Sequence, residues 1–363
     1  MTNSHPRIHS LLRNFLCTCV LVCLAAFARA QNQPVALFYM TNSPSSVQSF
    51  LAHSRKIGIL VPTWYSVDAT GLVTGAPIPE VLSVAQSQNI PVMPIITSTG
   101  KAAFHTLLGD QAAQQAMITS LIQQCKLHGY MGIQFDFEDV TWTDRDALSA
   151  LVKRTADALH AAGLKLSIAT VPNAPGYPGA SPFARWIYSD WRGAYDLKAL
   201  AQSVDLICLM TYDQHTRWTT PGPVAGWQWT INNLDYALQV VPPQKLSLGI
   251  PLYGYHWYTG NPVVNGPNNK RTEHPNPTAD YISEPDVALI EQEYNVKPQW
   301  DPVDHTAWFY FYRDQMREWI FFTDARTFED RYKLAQQHHL QGFCSWVLGT
   351  EDPDIWNFLP DRK

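Results

Sequence analysis

The chain has 363 residues, a formal net charge of −5 and 16% charged residues. Its 46% hydrophobic content is that of a folded protein able to bury a sizeable core, which excludes a disordered or fibrous chain. The acidic balance argues against a nucleic-acid partner, because such partners are held by Lys and Arg that neutralise phosphates.

The first thirty residues read as a leader, not as part of the fold. Arg7 and Arg13 precede an apolar run from Phe15 to Phe27 that is too short to span a bilayer comfortably. Ala28-Arg29-Ala30 follows as a small-x-small cleavage pattern. A secretory signal peptide cut after Ala30 is expected. The protein would then be exported (secreted, periplasmic or in the cell envelope), with no stable membrane insertion after cleavage. The leader carries three Arg and no acid, so its loss leaves residues 31–363 with a charge of −8. Cys17, Cys19 and Cys23 leave with it. Cys125, Cys208 and Cys344 remain, an odd number that cannot all pair within one chain, so buried free thiols are expected. No Cys or His spacing resembles a zinc or iron site, and no metal or cofactor is expected.

Beyond the leader, runs rich in branched and aromatic residues alternate with helical patterns. Strands are expected at Val35–Met40, Ile57–Trp64, Pro91–Thr97, Met131–Phe137, Lys165–Val171, Asp205–Tyr212, Leu246–Leu252 and Gly342–Val347. Helical spacing marks Asp110–His128, Asp144–Ala162, Trp229–Val240 and Thr327–His339. This alternation predicts an α/β fold, a (β/α)8 TIM barrel filling residues 31–363. An open doubly wound sheet is the alternative, lowered by the lack of a glycine-rich phosphate fingerprint after the first strand. The stretch from Leu252 to Thr327 is too long for a structureless loop. Its β-like runs at Trp308–Tyr312 and Trp319–Phe322 predict a small α+β insertion at about residues 258–322, after the seventh strand. Within it, Thr259–Pro277 is rich in Asn, Pro and Gly and reads as a surface loop. The 13 Trp, 16 Tyr and 15 Phe exceed what a core needs, and flat amphipathic rings suit a cleft that takes sugars.

The segment Gly132–Glu138 alternates strictly. Side chains at period two share a face, so Ile133, Phe135 and Phe137 point one way and Gln134, Asp136 and Glu138 the other. In a barrel the polar set would point into the axis, where burial of carboxylates is costly. Glu138 comes last, at the carboxyl end of the strand, where barrel active sites sit. For an isolated segment, the alternative is a half-exposed strand with its polar face in water. Its place as fourth of eight spaced strands favours a site.

This run resembles the D-G-x-D-x-D-x-E signature of glycoside hydrolase family 18, the chitinases and related N-acetylglucosaminidases. Asp205–Asp213 is similar to the family's sixth strand, with its Met-x-Tyr-Asp ending at Met210, Tyr212 and Asp213. Lys245–Trp257 is similar to the seventh strand and Gly342–Asp352 to the eighth. The resemblance covers essentially residues 31–363, and in pattern it is nearest to spore-cortex-lytic N-acetylglucosaminidases and chitinase-domain-containing proteins. It implies a glycosidase that cleaves β-1,4-linked glycans containing N-acetylglucosamine, whether chitin oligosaccharides or peptidoglycan. It also implies retaining, substrate-assisted catalysis, in which the sugar's 2-acetamido oxygen attacks the anomeric carbon. Glu138 would be the proton donor, Asp136 would orient the acetamido group and face the positive intermediate, and Tyr212 would bind the acetamido carbonyl. Asp213 and Met210 would contact the sugar, and Trp346 would lie beneath it. Trp64, Tyr39 and Tyr253, near strand ends, are expected to line the cleft, and Trp218, Trp227 and Trp229 either widen it or pack a loop.

Two positions depart from the family's pattern: Met131 stands where the first acid is usual and Gln134 where the middle acid is usual. Gln134 cannot ionise, but its amide could donate to Asp136 and keep it more firmly ionised. The competing reading is a non-catalytic carbohydrate-binding protein on the same barrel, since fold does not fix function. Glu138 separates the two, because lectin-like relatives usually lack that acid.

Overall fold

A computed structural model describes residues 33–138, 140–173, 178–258 and 279–362, with Phe183 described by its backbone alone. The expected leader and the stretch Thr259–Pro277 lie outside the described residues. In chain order the strands are β1 (Val35–Met40), β2 (Ile59–Pro62), β3 (Tyr65–Val67), β4 (Val73–Gly75), β5 (Ile95–Ser98), β6 (Gly132–Phe135), β7 (Lys165–Thr170), β8 (Leu206–Leu209), β9 (Leu246–Pro251), β10 (Tyr253–Trp257), β11 (Ala279–Ser283), β12 (Gln299–Asp301), β13 (Thr306–Arg313), β14 (Met316–Phe322) and β15 (Gly342–Trp346).

Ten strands make one curled sheet in the order β2-β1-β15-β9-β8-β7-β6-β5-β3-β4. All its pairs are parallel except the short hairpin β3–β4. The barrel closes where Leu60 of β2 bridges Val92. There the Leu60 N–H donates to the Pro91 carbonyl and the Met93 N–H to the Leu60 carbonyl, both at 2.9 Å. Helices connect the strands and cover the outside. Gln111–His128 shows why such helices start and stop: Asp110 accepts from the N–H groups of Ala112 and Ala113, and Gly129 at φ +70 ends the helix. The eight expected barrel strands are all present, with two changes. The third starts at Ile95 because Pro91 and Pro94 have no N–H to give the ladder. The second breaks after Pro62, where the Trp64 N–H turns back to the Pro62 carbonyl at 3.0 Å, and resumes as β3. Cys125, Cys208 and Cys344 are buried free thiols, as expected.

Five antiparallel strands, in the order β11-β10-β14-β13-β12, form the second sheet. It begins earlier than the expected residue 258. The Leu252 N–H makes a last barrel bond to the Trp346 carbonyl at 2.7 Å, and Tyr253 is already paired with Ser283. One face of this sheet, with Ile282, Ala307, Phe309, Phe311, Ile320 and Phe322, packs on Val287 of the helix Glu284–Tyr294 as a separate small core. The other face turns Tyr253, Tyr255 and Trp257 towards the barrel, in keeping with the period of two. Arg331, fully buried on the helix Ala325–Gln337, ties the two sheets together. Its guanidinium donates to the carbonyls of His305 (2.8 Å), Thr327 (3.2 Å), Asp304 (3.3 Å) and Ala225. Asp304 and His305 lie in the β12–β13 turn, and Ala225 lies in the connection after β8.

Strand β6 leaves no room for a side chain at Gly132 beside β7. A Cβ built on Gly132 would overlap the Lys165 backbone, its carbonyl oxygen above all. Gly132→Ala must push the two strands apart, an overpacking that typically costs about 1–3 kcal/mol. Denaturant titration should show that loss of stability. Turnover should fall with it, because the same strand carries Gln134, Asp136 and Glu138.

Candidate active site

At the carboxyl end of the barrel strands, one cavity of about 190 Å³ is lined by Tyr39, Asp136, Glu138, Ala169, Met210, Tyr212, Asp213, Tyr253 and Trp346. Drug-sized sites run to roughly 300–1,000 Å³, so this one has room for a single ring-sized group. Seven of the nine lining residues come from barrel strands or their extensions, whereas Asp213 enters on a left-handed backbone and Tyr253 comes from the second sheet. Asp136 and Glu138 continue the inward face of β6, and Ala169 is the inward small residue of β7. Met210 and Tyr212 extend β8, Tyr39 comes from β1 and Trp346 ends β15. Eight of the ten residues singled out in the sequence thus meet in one cavity.

The other two do not line it. Trp64 is 4% exposed and packs against Tyr130, with ring centroids 6.1 Å apart. The turn after Pro62 carries its indole away from the mouth. Gln134 lies fully buried one layer below Asp136. Its amide nitrogen donates to the Ser167 hydroxyl at 2.6 Å and to the Cys208 sulfur at 3.1 Å, not to Asp136. The expectation that Gln134 keeps Asp136 firmly ionised is therefore reversed. The Asp136 Oδ1 is buried without a hydrogen-bond partner, and among the described residues no cation pairs with it. Burial pushes its carboxyl up to about 6, from an ordinary 3.8.

Tyr212 is 8% exposed, and burial raises its hydroxyl well above the usual range, followed by the nearby Cys344, Asp136, Glu138 and Asp213. It therefore stays protonated and can donate. Glu138, the last inward residue, is exposed at the mouth. Asp213 adopts a left-handed backbone at φ +60, uncommon for a residue with a side chain. Its Oδ1 accepts from the hydroxyls of Tyr253 (2.6 Å) and Tyr255 (3.1 Å). Burial raises its carboxyl, and those two bonds and the Arg217 charge oppose the rise. Trp346 leans on Tyr39 at 5.4 Å between centroids and 54° between planes, so two rings share one wall. Ala169 and Tyr255 were not singled out in the sequence. The inward alternation Ser167–Ala169 and the spacing of Tyr253 and Tyr255 were the signals for them. Of the tryptophan cluster, Trp227 stacks on His305 at 4.5 Å and Trp218 is exposed. Among the described residues no group of three His, Cys, Asp or Glu could hold a metal ion, and no helix is long and apolar enough to cross a membrane.

Comparison with known proteins places this architecture. The sequence profile of Glycosyl hydrolases family 18 matches residues 35–351. The cortical fragment-lytic enzyme of Bacillus subtilis is 27% identical over 304 residues, which are 82% of this chain and 66% of that enzyme. The chain thus spans a little under two thirds of that relative's length. The crystal structure of a chitinase from Chromobacterium violaceum superposes with a TM-score of 0.76 at 25% identity, covering 89% of this chain and 97% of that one. The spore cortex-lytic enzyme SleL of Bacillus cereus shares the fold, with a TM-score of 0.78 at 23% identity over 90% of this chain and 73% of its own. The profile spans nearly the whole described chain, from the first barrel strand past the last: the chain belongs to glycosyl hydrolases family 18.

Proposed function

We propose that this protein is an exported glycosidase and cleaves β-1,4-linked glycans containing N-acetylglucosamine, chitin oligosaccharides or peptidoglycan strands, by retaining, substrate-assisted catalysis. The observation that carries the reading is the pairing of Asp136 and Glu138 in one ring-sized cavity with the protonated Tyr212. Relatives named as a cortical fragment-lytic enzyme and a chitinase support the substrate class. The leader-like residues 1–30 support export.

In this reading the sugar ring lies against Trp346 and Tyr39, and Met210 and Asp213 fill the space around it. Tyr212 donates its hydroxyl proton to the acetamido carbonyl and holds that oxygen below the anomeric carbon. Glu138, at the mouth, gives its proton to the leaving oxygen as the glycosidic bond breaks. The acetamido oxygen bonds to the anomeric carbon and makes a positive five-membered ring. Glu138 then takes a proton from water as the ring opens and the configuration is retained. Asp136 accepts the acetamido N–H and faces the positive charge. Its carboxylate has no cation of its own, so the cyclised intermediate supplies one that the free enzyme lacks. Such an interaction strengthens along the reaction, and that difference lowers the barrier.

Glu138→Gln should leave the fold intact and reduce turnover of N-acetylchitooligosaccharides on the order of 10²–10⁴-fold. Product analysis by mass spectrometry measures this. A folded variant with near-full activity would rule Glu138 out as the donor.

Asp136 must be ionised to meet the cation, so activity should fall as pH drops through about 6, where its carboxyl takes up a proton. The same burial is a stability cost. Because the folded value lies above the unfolded one, the cost is absent below pH 3.8 and complete above pH 6. Asp136→Asn should therefore raise the melting temperature at pH 7.5, by at most on the order of 3 kcal/mol of stability. It should leave it unchanged near pH 3, while activity is lost. Thermal melts at both pH values read this directly.

Cleavage should also require the 2-acetamido group. Aryl glycosides of N-acetylglucosamine oligomers should turn over and matched glucose compounds should not, and a thiazoline mimic of the cyclised intermediate should inhibit. Equal turnover of the glucose compounds, or a trapped glycosyl ester on an Asp or Glu, would overturn substrate assistance.

A further inference from the structure

We infer that Tyr195 is a positioning residue for Glu138, acting through the backbone of Phe137; this rests on the reading of Glu138 as the proton donor. The β6 ladder ends at Phe135, and the Asp136 N–H makes one more bond, to the Ile96 carbonyl at 3.1 Å. Phe137 and Glu138 lie beyond the sheet, so sheet pairing does not fix the donor's backbone. The Tyr195 hydroxyl does, donating to the Phe137 carbonyl at 2.7 Å. Tyr195 is 4% exposed and Phe137 1% exposed, so this bond is shielded from competing water. On the other side the Phe137 ring stacks on Phe104, with centroids 4.2 Å apart. Phe137 is thus held by its ring and by its carbonyl, and the next peptide carries Glu138.

The mount that presents Tyr195 is itself rigid. Gly193 is wedged so that a Cβ there would meet Tyr188 and Trp142 at 2.7–2.8 Å. Asp196 caps the helix Leu197–Ser203 by accepting from the Ala199 N–H at 3.0 Å, and pairs with Arg145 at 3.2 Å. A tyrosine set between a wedged glycine and a pinned cap has little freedom, so its hydroxyl can fix a carbonyl on another strand's extension. A general acid loses effect when displaced by about an ångström from the leaving oxygen.

The test separates positioning from mere stability. Tyr195→Phe removes the donor and keeps the ring. Its turnover of N-acetylchitooligosaccharides should fall roughly tenfold with KM little changed. The loss in kcat/KM, which reports bond cleavage and not the later water step that Glu138 also serves, should shrink to less than about twofold on a dinitrophenyl glycoside, whose leaving group needs no proton. Tyr195→p-aminophenylalanine, which restores an N–H donor, should recover the oligosaccharide rate. Should the phenyl variant fail to fold, Tyr195→Met carries the same comparison. An equal loss on both substrates, or no loss on either, overturns the proposal. Glu138→Gln is run in parallel. If it spares the dinitrophenyl substrate and Tyr195→Phe does not, Tyr195 fails while Glu138 stands as donor. If Glu138→Gln shows no dependence on the leaving group, the donor assignment itself falls.

Discussion

A carboxylate in the axis of a β-barrel is a desolvated charge, and the mouth of this barrel is arranged around one. The alternation of Gly132–Glu138 sends Asp136 inward, where branched apolar residues usually fill the space. Nothing beneath it repairs the loss of water: Gln134 gives its amide to Ser167 and Cys208, and Asp136 Oδ1 has no partner. The result is a carboxyl poised near 6. It is charged at neutral pH, and it is held in a setting that a substrate-borne cation would relieve. Stability is given up at the place where the proposed chemistry would use an unmet charge.

The second sheet shares in that arrangement. Its first strand reaches back to the mouth, and the hydroxyls of Tyr253 and Tyr255 converge on one oxygen of Asp213. Asp213 is also the residue whose backbone turns left-handed as the chain leaves β8. Two donors on a separate sheet thus hold a strained turn on the barrel. The Tyr212 hydroxyl immediately before it inherits that fixed geometry. Tyr253 stacks in turn on Tyr281 of the neighbouring strand, with centroids 4.5 Å apart, so the support runs from strand to strand.

What the sequence told and what it withheld divide along one physical line. Strand identity, order and inward face were legible because they rest on a local period of two. That period placed Asp136 and Glu138 on the inward face, and the family resemblance added Met210, Tyr212 and Trp346, which line the same cavity. Rotamers were not legible. The Gln134 amide turns to partners 33 and 74 residues away, on β7 and β8, and nothing in its own segment signals this. Trp64 failed for a related reason: the turn after Pro62 ended the strand early, and the indole followed the new direction. Tyr195 lies in a short helical connection with no periodic signal, and only the folded chain brings its hydroxyl to Phe137. The edge of the second sheet was misplaced because only Leu252 separates β9 from β10, with no turn residue to mark the change of sheet. The difference between them is the partner each finds.

Arg331 sets a limit on how this architecture can be taken apart. Among the described residues no carboxylate forms an ion pair with it; four main-chain carbonyls share its charge, drawn from the helix, the β12–β13 turn and the connection after β8. Burial lowers its pKa only to about 10, so it is a cation at any ordinary pH. Excising the second sheet would remove two of those carbonyls and strand a buried charge inside the barrel wall. A lysine, with its donors at a single point, could not span the same four oxygens. The insertion is therefore not a detachable module: barrel and appended sheet must be inherited, transplanted or redesigned as one piece.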